Sequence, residues 1–323
     1  MHFIGFEFFE RQSHQNPLPH DQKAPNEGQE FSALRQKAGY TSPMYRAPIQ
    51  TLALTTIALM LASCSSPSDR LELATRIAAS ANLDQRTYTL PDYTIKSWSR
   101  ITDQEHPVNI YIEGDGFAWV NKNTPSRNPT PKNPIGLKLA SIDPSPNVIY
   151  LARPCQFLET GNMQSCKQQD WTSARFSMKI INTYNLLLNQ ISPAQDGQKF
   201  NLIGFSGGAN IAGLLASRRN DILSLRTVAG NIDNTAFTKY HHVTSMPESM
   251  DVANYTKDIH HIPQIHFVGE KDTIIPPQIA SSYLEKTPDT QCIKVRIIPD
   301  ISHTQGWETV WPELLKIPAN CAD

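Results

Sequence analysis

A regular alternation of short apolar runs with amphipathic segments constrains the fold more than any other feature of this sequence. Runs with the length and composition of strands occur at Thr94–Ile101, Val108–Ile112, Asn147–Ala152, Phe200–Phe205, Leu223–Val228, Ile265–Val268 and Val295–Ile298. Helical periodicity marks the segments Leu71–Ala81, Ala174–Ile191, Gly208–Ser217, Pro277–Leu284 and Trp307–Leu315. Strands that alternate with helices form a mostly parallel sheet with helices on both faces, because each parallel connection crosses over the sheet. The sequence therefore predicts an α/β domain.

Two longer segments lack clear periodicity. Residues 121–133 are rich in Pro and Asn and are predicted to be a loop. Residues 231–262 are predicted to form a partial lid over the functional site. We expect the paired histidines of this lid, His241-His242 and His260-His261, to be solvated or packing residues.

The N-terminal part of the chain differs from the rest. Residues 1–43 are polar and rich in Pro, Gln and His. We expect them to be a disordered N-terminal extension or a segment wrongly assigned to the protein. Residues 44–63 combine a short basic start, an uncharged apolar run and small residues, which is the pattern of a secretory signal peptide. The end of this segment and the next residue, Leu61-Ala62-Ser63-Cys64, resemble the lipobox of bacterial lipoproteins.

This lipobox resemblance implies that Cys64 is lipidated and begins the mature chain, which would anchor the protein to a membrane of the bacterial cell envelope. Ser65 stands where lipoproteins retained at the inner membrane carry aspartate, so we expect an outer-membrane anchor facing the periplasm. The alternative is an ordinary signal peptide followed by an incidental cysteine.

Four cysteines follow Cys64, and an even number in an exported chain predicts two disulfides. Of the three pairings that four cysteines allow, we expect the sequence-local pairs Cys155–Cys166 and Cys292–Cys321. No Cys-x-x-Cys or Cys/His pair has the spacing of metal ligands, so neither a metal nor another cofactor is expected. A formal net charge of -1 does not suggest a nucleic-acid partner, which would require a clustered basic excess.

One glycine-rich motif, Gly204-Phe205-Ser206-Gly207-Gly208, lies where a predicted strand meets a predicted helix. It matches Gly-x-Ser-x-Gly, in which the serine occupies a sharp, strained turn and the flanking glycines avoid clashes. The N–H groups that open the following helix favour negative charge near the serine. A serine hydroxyl is a poor nucleophile until a base removes its proton, so the motif also requires a histidine and an orienting acid.

Candidates for both partners follow along the chain. Asp272 ends the segment Gly269-Glu270-Lys271-Asp272 after a predicted strand, and His303 follows the last strand. An imidazole with a pKa near 6.5 suits a general base, and a carboxylate would fix its tautomer. Asp233, which follows another strand, is the alternative acid. The order Ser206, Asp272, His303 resembles that of the α/β-hydrolases, and the resemblance covers almost all of residues 64–323.

This second resemblance implies an α/β-hydrolase fold with an oxyanion hole made of two backbone N–H groups. Gly207 would supply the first donor and Asp115 the second, with Gly116 as the alternative. Glu113 stands where the family usually has histidine. A different interpretation makes Glu113 and Asp115 an acid–base pair.

Two arginines, Arg153 and Arg175, follow the predicted strand that ends at Ala152. They would either bind an acidic group of the substrate or pair with Glu113 or Asp115. We expect the structural pairing.

The α/β-hydrolase resemblance implies a serine hydrolase that cleaves carboxylic esters of small molecules through an acyl-enzyme intermediate. Thioesterases and peptidases use the same three side chains, and both alternatives stay open. A non-catalytic envelope lipoprotein on the same scaffold is the alternative of a different class, because a fold alone does not establish activity.

Overall fold

The computed structural model describes residues 66–159, 163, 165–191 and 197–321. The predicted N-terminal extension (1–43), the signal peptide (44–63) and Cys64 therefore lie outside the described residues. Within the described part of the chain, no helix is long and apolar enough to cross a membrane.

A sheet of eight strands forms the centre of the described domain. Its strands are β1 (Asp84–Thr89), β2 (Thr94–Ile101), β3 (Val108–Ile112), β6 (Asn147–Leu151), β7 (Phe200–Phe205), β8 (Ile222–Val228), β9 (Gln264–Gly269) and β10 (Ile293–Ile298). Two further strands, β4 (Trp119–Asn121) and β5 (Thr124–Pro125), form a separate hairpin. The order across the sheet is β1-β2-β6-β3-β7-β8-β9-β10. The β1–β2 and β2–β6 pairs are antiparallel, and every pair from β6 to β10 is parallel. The predicted mostly parallel sheet is confirmed.

Helices cover both faces of this sheet. They are α1 (Pro67–Ser80), α2 (Ile135–Ser141), α3 (Met178–Ile191), α4 (Gly207–Ala216), α5 (Asn234–Tyr240), α6 (Thr256–Ile259), α7 (Pro277–Glu285) and α8 (Trp307–Leu315), with short 3-10 turns at Gln168–Trp171 and Val252–Asn254. Apolar residues of α1, α2 and α8 belong to one core cluster, and those of α3, α4 and α7 to the other.

Successive strand residues divide between the two cores, as the two-residue period of a strand requires. On β3, Ile110 and Ile112 belong to the core beneath α3 and α4, while Tyr111 belongs to the opposite one. Leu202 and Ile203 of β7 divide in the same way. Because both faces are buried, the central strands are mostly apolar, and the carboxyl ends of the parallel strands meet at one edge of the sheet.

Several elements differ from the sequence prediction. The segment 121–133, predicted to be a loop, contributes to a small antiparallel hairpin, β4–β5. Helix α2 and edge strand β1 were not predicted: α2 is apolar nearly all round, and β1 is exposed along most of its length. The predicted helix over 174–191 begins only at Met178.

Both predicted disulfides are present, Cys155–Cys166 and Cys292–Cys321. The first closes the loop after β6, and the second ties the residue before β10 to the segment after α8. Each bond thus fixes a connection next to the parallel sheet.

Candidate active site

Ser206 occupies the single residue between strand β7 and helix α4. Its φ of 50° and ψ of -121° are strained for a residue with a side chain. Backbone hydrogen bonds hold this conformation: the Ser206 N–H donates to the Val228 carbonyl, and its own carbonyl accepts from the Ala209 and Asn231 N–H groups. The chain thereby turns sharply and presents the hydroxyl at the carboxyl edge of the sheet.

Glycines make this turn possible. A Cβ at Gly204 would lie 2.4 Å from the Cα of Ala209, and one at Gly208 would lie 2.2 Å from the carbonyl oxygen of Ile112. Both distances are far below van der Waals contact with backbone that cannot move aside, so the predicted need for glycine at these positions agrees with the packing.

The loop after β9 holds Asp272, whose carboxylate is fully buried. Its Oδ1 accepts two backbone hydrogen bonds, from the N–H groups of Ile274 and Ile275, each at 2.8 Å. Its Oδ2 lies 2.9 Å from Nδ1 of His303. The carboxylate is therefore fixed by the backbone on one side and faces the imidazole on the other.

His303 lies in the loop between β10 and α8, and its Nε2 is 3.0 Å from the Ser206 hydroxyl oxygen. The Phe205 ring packs against the imidazole with centroids 5.4 Å apart. The buried Trp307 indole donates to the His303 carbonyl oxygen at 3.2 Å and so holds the loop between β10 and α8 in place. The structure thus brings Ser206, His303 and Asp272 into one hydrogen-bonded chain.

A close approach of two loops sets the position of His303 relative to Asp272. A Cβ at Gly269 would lie 2.5 Å from the carbonyl oxygen of Ile301, which in turn accepts from the Lys271 N–H. The sequence analysis named Gly269 only as part of the segment that ends in Asp272, and it missed both this close approach and the Trp307 contact. A glycine at the end of a strand and a tryptophan opening the last helix were the available signals.

Asp233, the alternative acid, lies elsewhere. It caps helix α5 by accepting from the Ala236 N–H, and its other oxygen accepts from the Ser282 hydroxyl and pairs with Lys286. The side chain is fully buried among these partners. The structure therefore does not bring Asp233 to His303.

The Glu113 carboxylate is a structural brace rather than half of an acid–base pair. It accepts from the N–H groups of Gly114, Gly136 and Leu137 and from the Tyr150 hydroxyl, and so holds the start of α2. Burial raises the pKa of Glu113, and these hydrogen bonds oppose that rise.

Asp115 instead pairs with both arginines, at 2.9 Å from Arg153 and 3.0 Å from Arg175. The two guanidinium groups are almost fully buried, and burial lowers the pKa of Arg175 while Asp115 opposes this effect. The expected structural pairing of the arginines is present. A Cβ at Gly207 would lie 2.1 Å from Oδ1 of Asp115, so the carboxylate occupies the space beside the first residue of α4.

The predicted oxyanion donors are the backbone N–H groups of Gly207 and Asp115. Among the described hydrogen bonds, neither the Gly207 N–H nor the Asp115 N–H has an acceptor. The Gly207 N–H opens helix α4, where the helix dipole also favours negative charge. The charge of the Asp115 carboxylate, close to these donors, is neutralised by the two arginines.

A cleft of about 770 Å³ opens beside this site. It reaches Asp115, next to Gly207, and Ile274, whose N–H binds Asp272. The predicted lid, 231–262, contributes residues between 237 and 246 to the cleft, including His241, which bonds to the Ile274 carbonyl oxygen at 2.7 Å. The later part of the segment joins the core instead, through Val252, Ala253, Ile259 and Ile262.

Residues 164–297 match the model of the family described as serine hydrolase (FSH1). This match covers less than half of the chain; it includes Ser206 and Asp272 and ends before His303. It supports hydrolase activity. No curated protein matches the sequence significantly.

Solved structures with a similar fold include several hydrolases. A membrane phospholipase A, described as a bacterial virulence factor, has a TM-score of 0.53 and 15% identity, over 82% of this chain and 95% of its own. The esterase Pf2001 of Pyrococcus furiosus has a TM-score of 0.51 and 15% identity, over 74% and 90%. Est1E from Butyrivibrio proteoclasticus has a TM-score of 0.50 and 10% identity, over 72% and 96%. The fold is that of the α/β-hydrolases, as predicted.

Proposed function

We propose that this protein is a serine hydrolase that cleaves carboxylic esters, with Ser206 as the nucleophile, His303 as the base and Asp272 as the acid. The observation that carries the proposal is the position of the His303 ring, which lies 3.0 Å from the Ser206 oxygen through Nε2 and 2.9 Å from Asp272 through Nδ1. Both distances are within the reach needed for proton transfer.

The reaction has two acyl-transfer steps. The Ser206 oxygen attacks the ester carbonyl carbon while Nε2 of His303 takes the hydroxyl proton. The tetrahedral intermediate collapses, the alkoxide leaves with that proton, and an acyl-enzyme remains. Water then attacks the acyl-enzyme with His303 as base, and the carboxylic acid and free Ser206 are released. Asp272 holds Nδ1 protonated throughout and stabilises the imidazolium.

The oxyanion of each intermediate would bind the N–H groups of Gly207 and Asp115. Loss of a single oxyanion donor in a serine hydrolase costs roughly 10²- to 10³-fold in turnover. In this site the Asp115 side chain adds a requirement: its negative charge lies beside the donors, and pairing with Arg153 and Arg175 offsets the repulsion of the oxyanion.

Labelling with a fluorophosphonate probe tests this function. The full chain should be labelled, and Ser206→Ala should lose all labelling because it lacks the attacking oxygen. Ser281→Ala, an exposed serine on α7, is the matched control and should label like the parent. A chain that folds but never labels would favour a non-catalytic envelope protein on this scaffold.

Matched oxygen ester, thioester and peptide substrates would separate the three hydrolase activities that the same side chains support. We expect the oxygen esters to give the highest kcat/KM. Faster cleavage of the thioester or peptide would replace the ester proposal and leave Ser206 in its role.

We also propose that the protein is a lipoprotein of the bacterial cell envelope, anchored at the outer membrane through Cys64 and facing the periplasm. The support is the sequence Leu61-Ala62-Ser63-Cys64, with Ser65 after it. Cys64→Ala should abolish metabolic labelling with a fatty acid, because the lipidated thiol is lost. Unchanged labelling of this variant would contradict the anchor.

A further inference from the structure

Exposed apolar side chains are concentrated around the cleft. Among the described residues, five of the eleven large apolar side chains that are exposed belong to segments bordering it: Trp119, Val120, Tyr240, Val243 and Ile274. We call these five residues the rim. Scattered exposed apolar residues are normal, but a group of them around one opening indicates a surface that meets something apolar.

The rim comes from three separate parts of the chain. Trp119 and Val120 lie on the β4–β5 hairpin, Tyr240 and Val243 lie at and after the end of α5, and Ile274 follows the loop of Asp272. Trp119, Val243 and Ile274 themselves line the cleft. The sheet therefore holds these three segments around the cleft beside Ser206.

Two of the three rim segments carry charges of one sign only. Residues 117–132 contain Lys122, Arg127 and Lys132 and no acid, and residues 235–247 contain Lys239 and no acid. The whole chain has a formal net charge of -1, so this basic excess is local. Among the described ion pairs, none involves Lys122 or Lys239.

We infer that the rim docks on the surface of an anionic lipid membrane, with Trp119 and Val120 in the interfacial layer and the lysines against lipid headgroups. Tryptophan is enriched at membrane–water interfaces because its ring is apolar and its N–H is polar. Basic residues near an anionic bilayer each add about 1 kcal/mol of attraction. Exposed apolar side chains beside two segments whose only charges are basic match both requirements.

The place of the rim favours a lipid surface over a protein partner. A protein seated on the rim would cover the cleft, and in the proposed function the cleft admits the substrate. A bilayer would instead present acyl esters to it. This part of the argument rests on the proposed function, whereas the binding itself does not depend on Ser206.

Vesicle co-sedimentation tests the docking without catalysis. The full chain would carry Cys64→Ala, to prevent lipidation, and Ser206→Ala, to prevent turnover. Vesicles of phosphatidylcholine with phosphatidylglycerol are compared with vesicles of phosphatidylcholine alone. Because fluorophosphonate labelling is measured separately on the chain with Ser206, failure of docking and failure of the proposed chemistry are distinguishable.

Apolar substitutions form the first arm. Trp119→Ser with Val120→Ser should lower the partition coefficient by about tenfold or more on both kinds of vesicle, because the apolar area transferred into lipid is lost. Leu186→Ser with Leu223→Ser, which alters equally exposed residues outside the rim, is the matched control and should bind like the parent.

Charge substitutions form the second arm. Lys122→Gln with Lys239→Gln should weaken binding to the anionic vesicles by about fivefold per charge and leave phosphatidylcholine binding unchanged. Equal binding by parent and Trp119 variant would overturn the inference. The inference would also be overturned if the parent did not bind vesicles but self-associated, and if light scattering showed the Trp119 variant to be monomeric.

Discussion

Replacing Asp272 by asparagine should stop turnover and leave the fold in place. Oδ1 of Asp272 accepts from the N–H groups of Ile274 and Ile275, and Oδ2 faces Nδ1 of His303. An asparagine side chain has only one oxygen, so it can accept from the backbone N–H groups or from His303 but not from both. If the oxygen turned towards His303, the buried N–H of Ile275 and the part-buried N–H of Ile274 would lose their acceptor, and the buried one alone would cost about 1–3 kcal/mol. The oxygen should therefore stay with the backbone, and the NH₂ group should face the imidazole.

That orientation inverts the histidine tautomer. Nδ1 of His303 would have to accept from the amide, so Nε2 would carry the proton and could no longer take one from Ser206. In the serine-protease triad the equivalent change lowers kcat by about four orders of magnitude, or about 5 kcal/mol in activation free energy. We expect a loss of this size for Asp272→Asn.

The measurement is kcat on a soluble p-nitrophenyl ester, with thermal unfolding of the same samples. Asp233→Asn is the matched control: it alters a buried aspartate that binds Ala236, Ser282 and Lys286 and makes no hydrogen bond to His303 among the described ones. It should lower the melting temperature and keep kcat near that of the parent. An inactive Asp233 variant beside an active Asp272 variant would refute the assignment of the acid and leave Ser206 and His303 untouched.

Three further predictions follow from the packing. Gly207→Ala should lower kcat by about 10²-fold on the same ester, because the new Cβ displaces the Asp115 carboxylate and shifts the Asp115 N–H that would bind the oxyanion. Full activity of this variant would contradict the prediction. Cys155→Ala with Cys166→Ala should lower the free energy of unfolding by about 3 kcal/mol in urea titrations, and an unchanged midpoint would show that the bond does not constrain the unfolded chain. Burial lowers the pKa of His266 from 6.5 to about 3. Below pH 6.5 this histidine is therefore protonated in the unfolded chain and stays neutral in the folded chain. Stability should therefore fall by about 2 kcal/mol between pH 7.5 and pH 5 through this group, and His266→Asn should remove that part of the loss.

The parallel sheet was predictable because its strands are buried on both faces. Predominantly apolar runs such as Val108–Ile112 and Phe200–Phe205 have few structural alternatives, and both strands form over the predicted residues. The strand-to-helix turn at Ser206 was predictable for a related reason: a sharp turn in a buried place requires glycines, and glycine is visible in the sequence.

Elements without a periodic pattern were not predictable. Strand β1 is mostly exposed, so no alternation of apolar and polar residues marks it. The helix Ile135–Ser141 is buried almost all round and lacks a polar face. The rim around the cleft depends on three segments, and only the folded sheet brings Trp119, Val243 and Ile274 together. Sequence periodicity indicates local structure, and it carries no information on which distant segments lie side by side in the fold.

Among the acids that follow strands near the candidate site, four candidates differ in the partners of their carboxylates. Glu113 binds the start of a helix, Asp115 pairs with two arginines, and Asp233 caps a helix and binds a lysine. Each of these three carboxylates has both oxygens engaged in holding a segment in place. Asp272 differs because the backbone occupies one oxygen and leaves the other to His303. Within the described residues, it is therefore the partner set of each acid, rather than its place after a strand, that singles out Asp272.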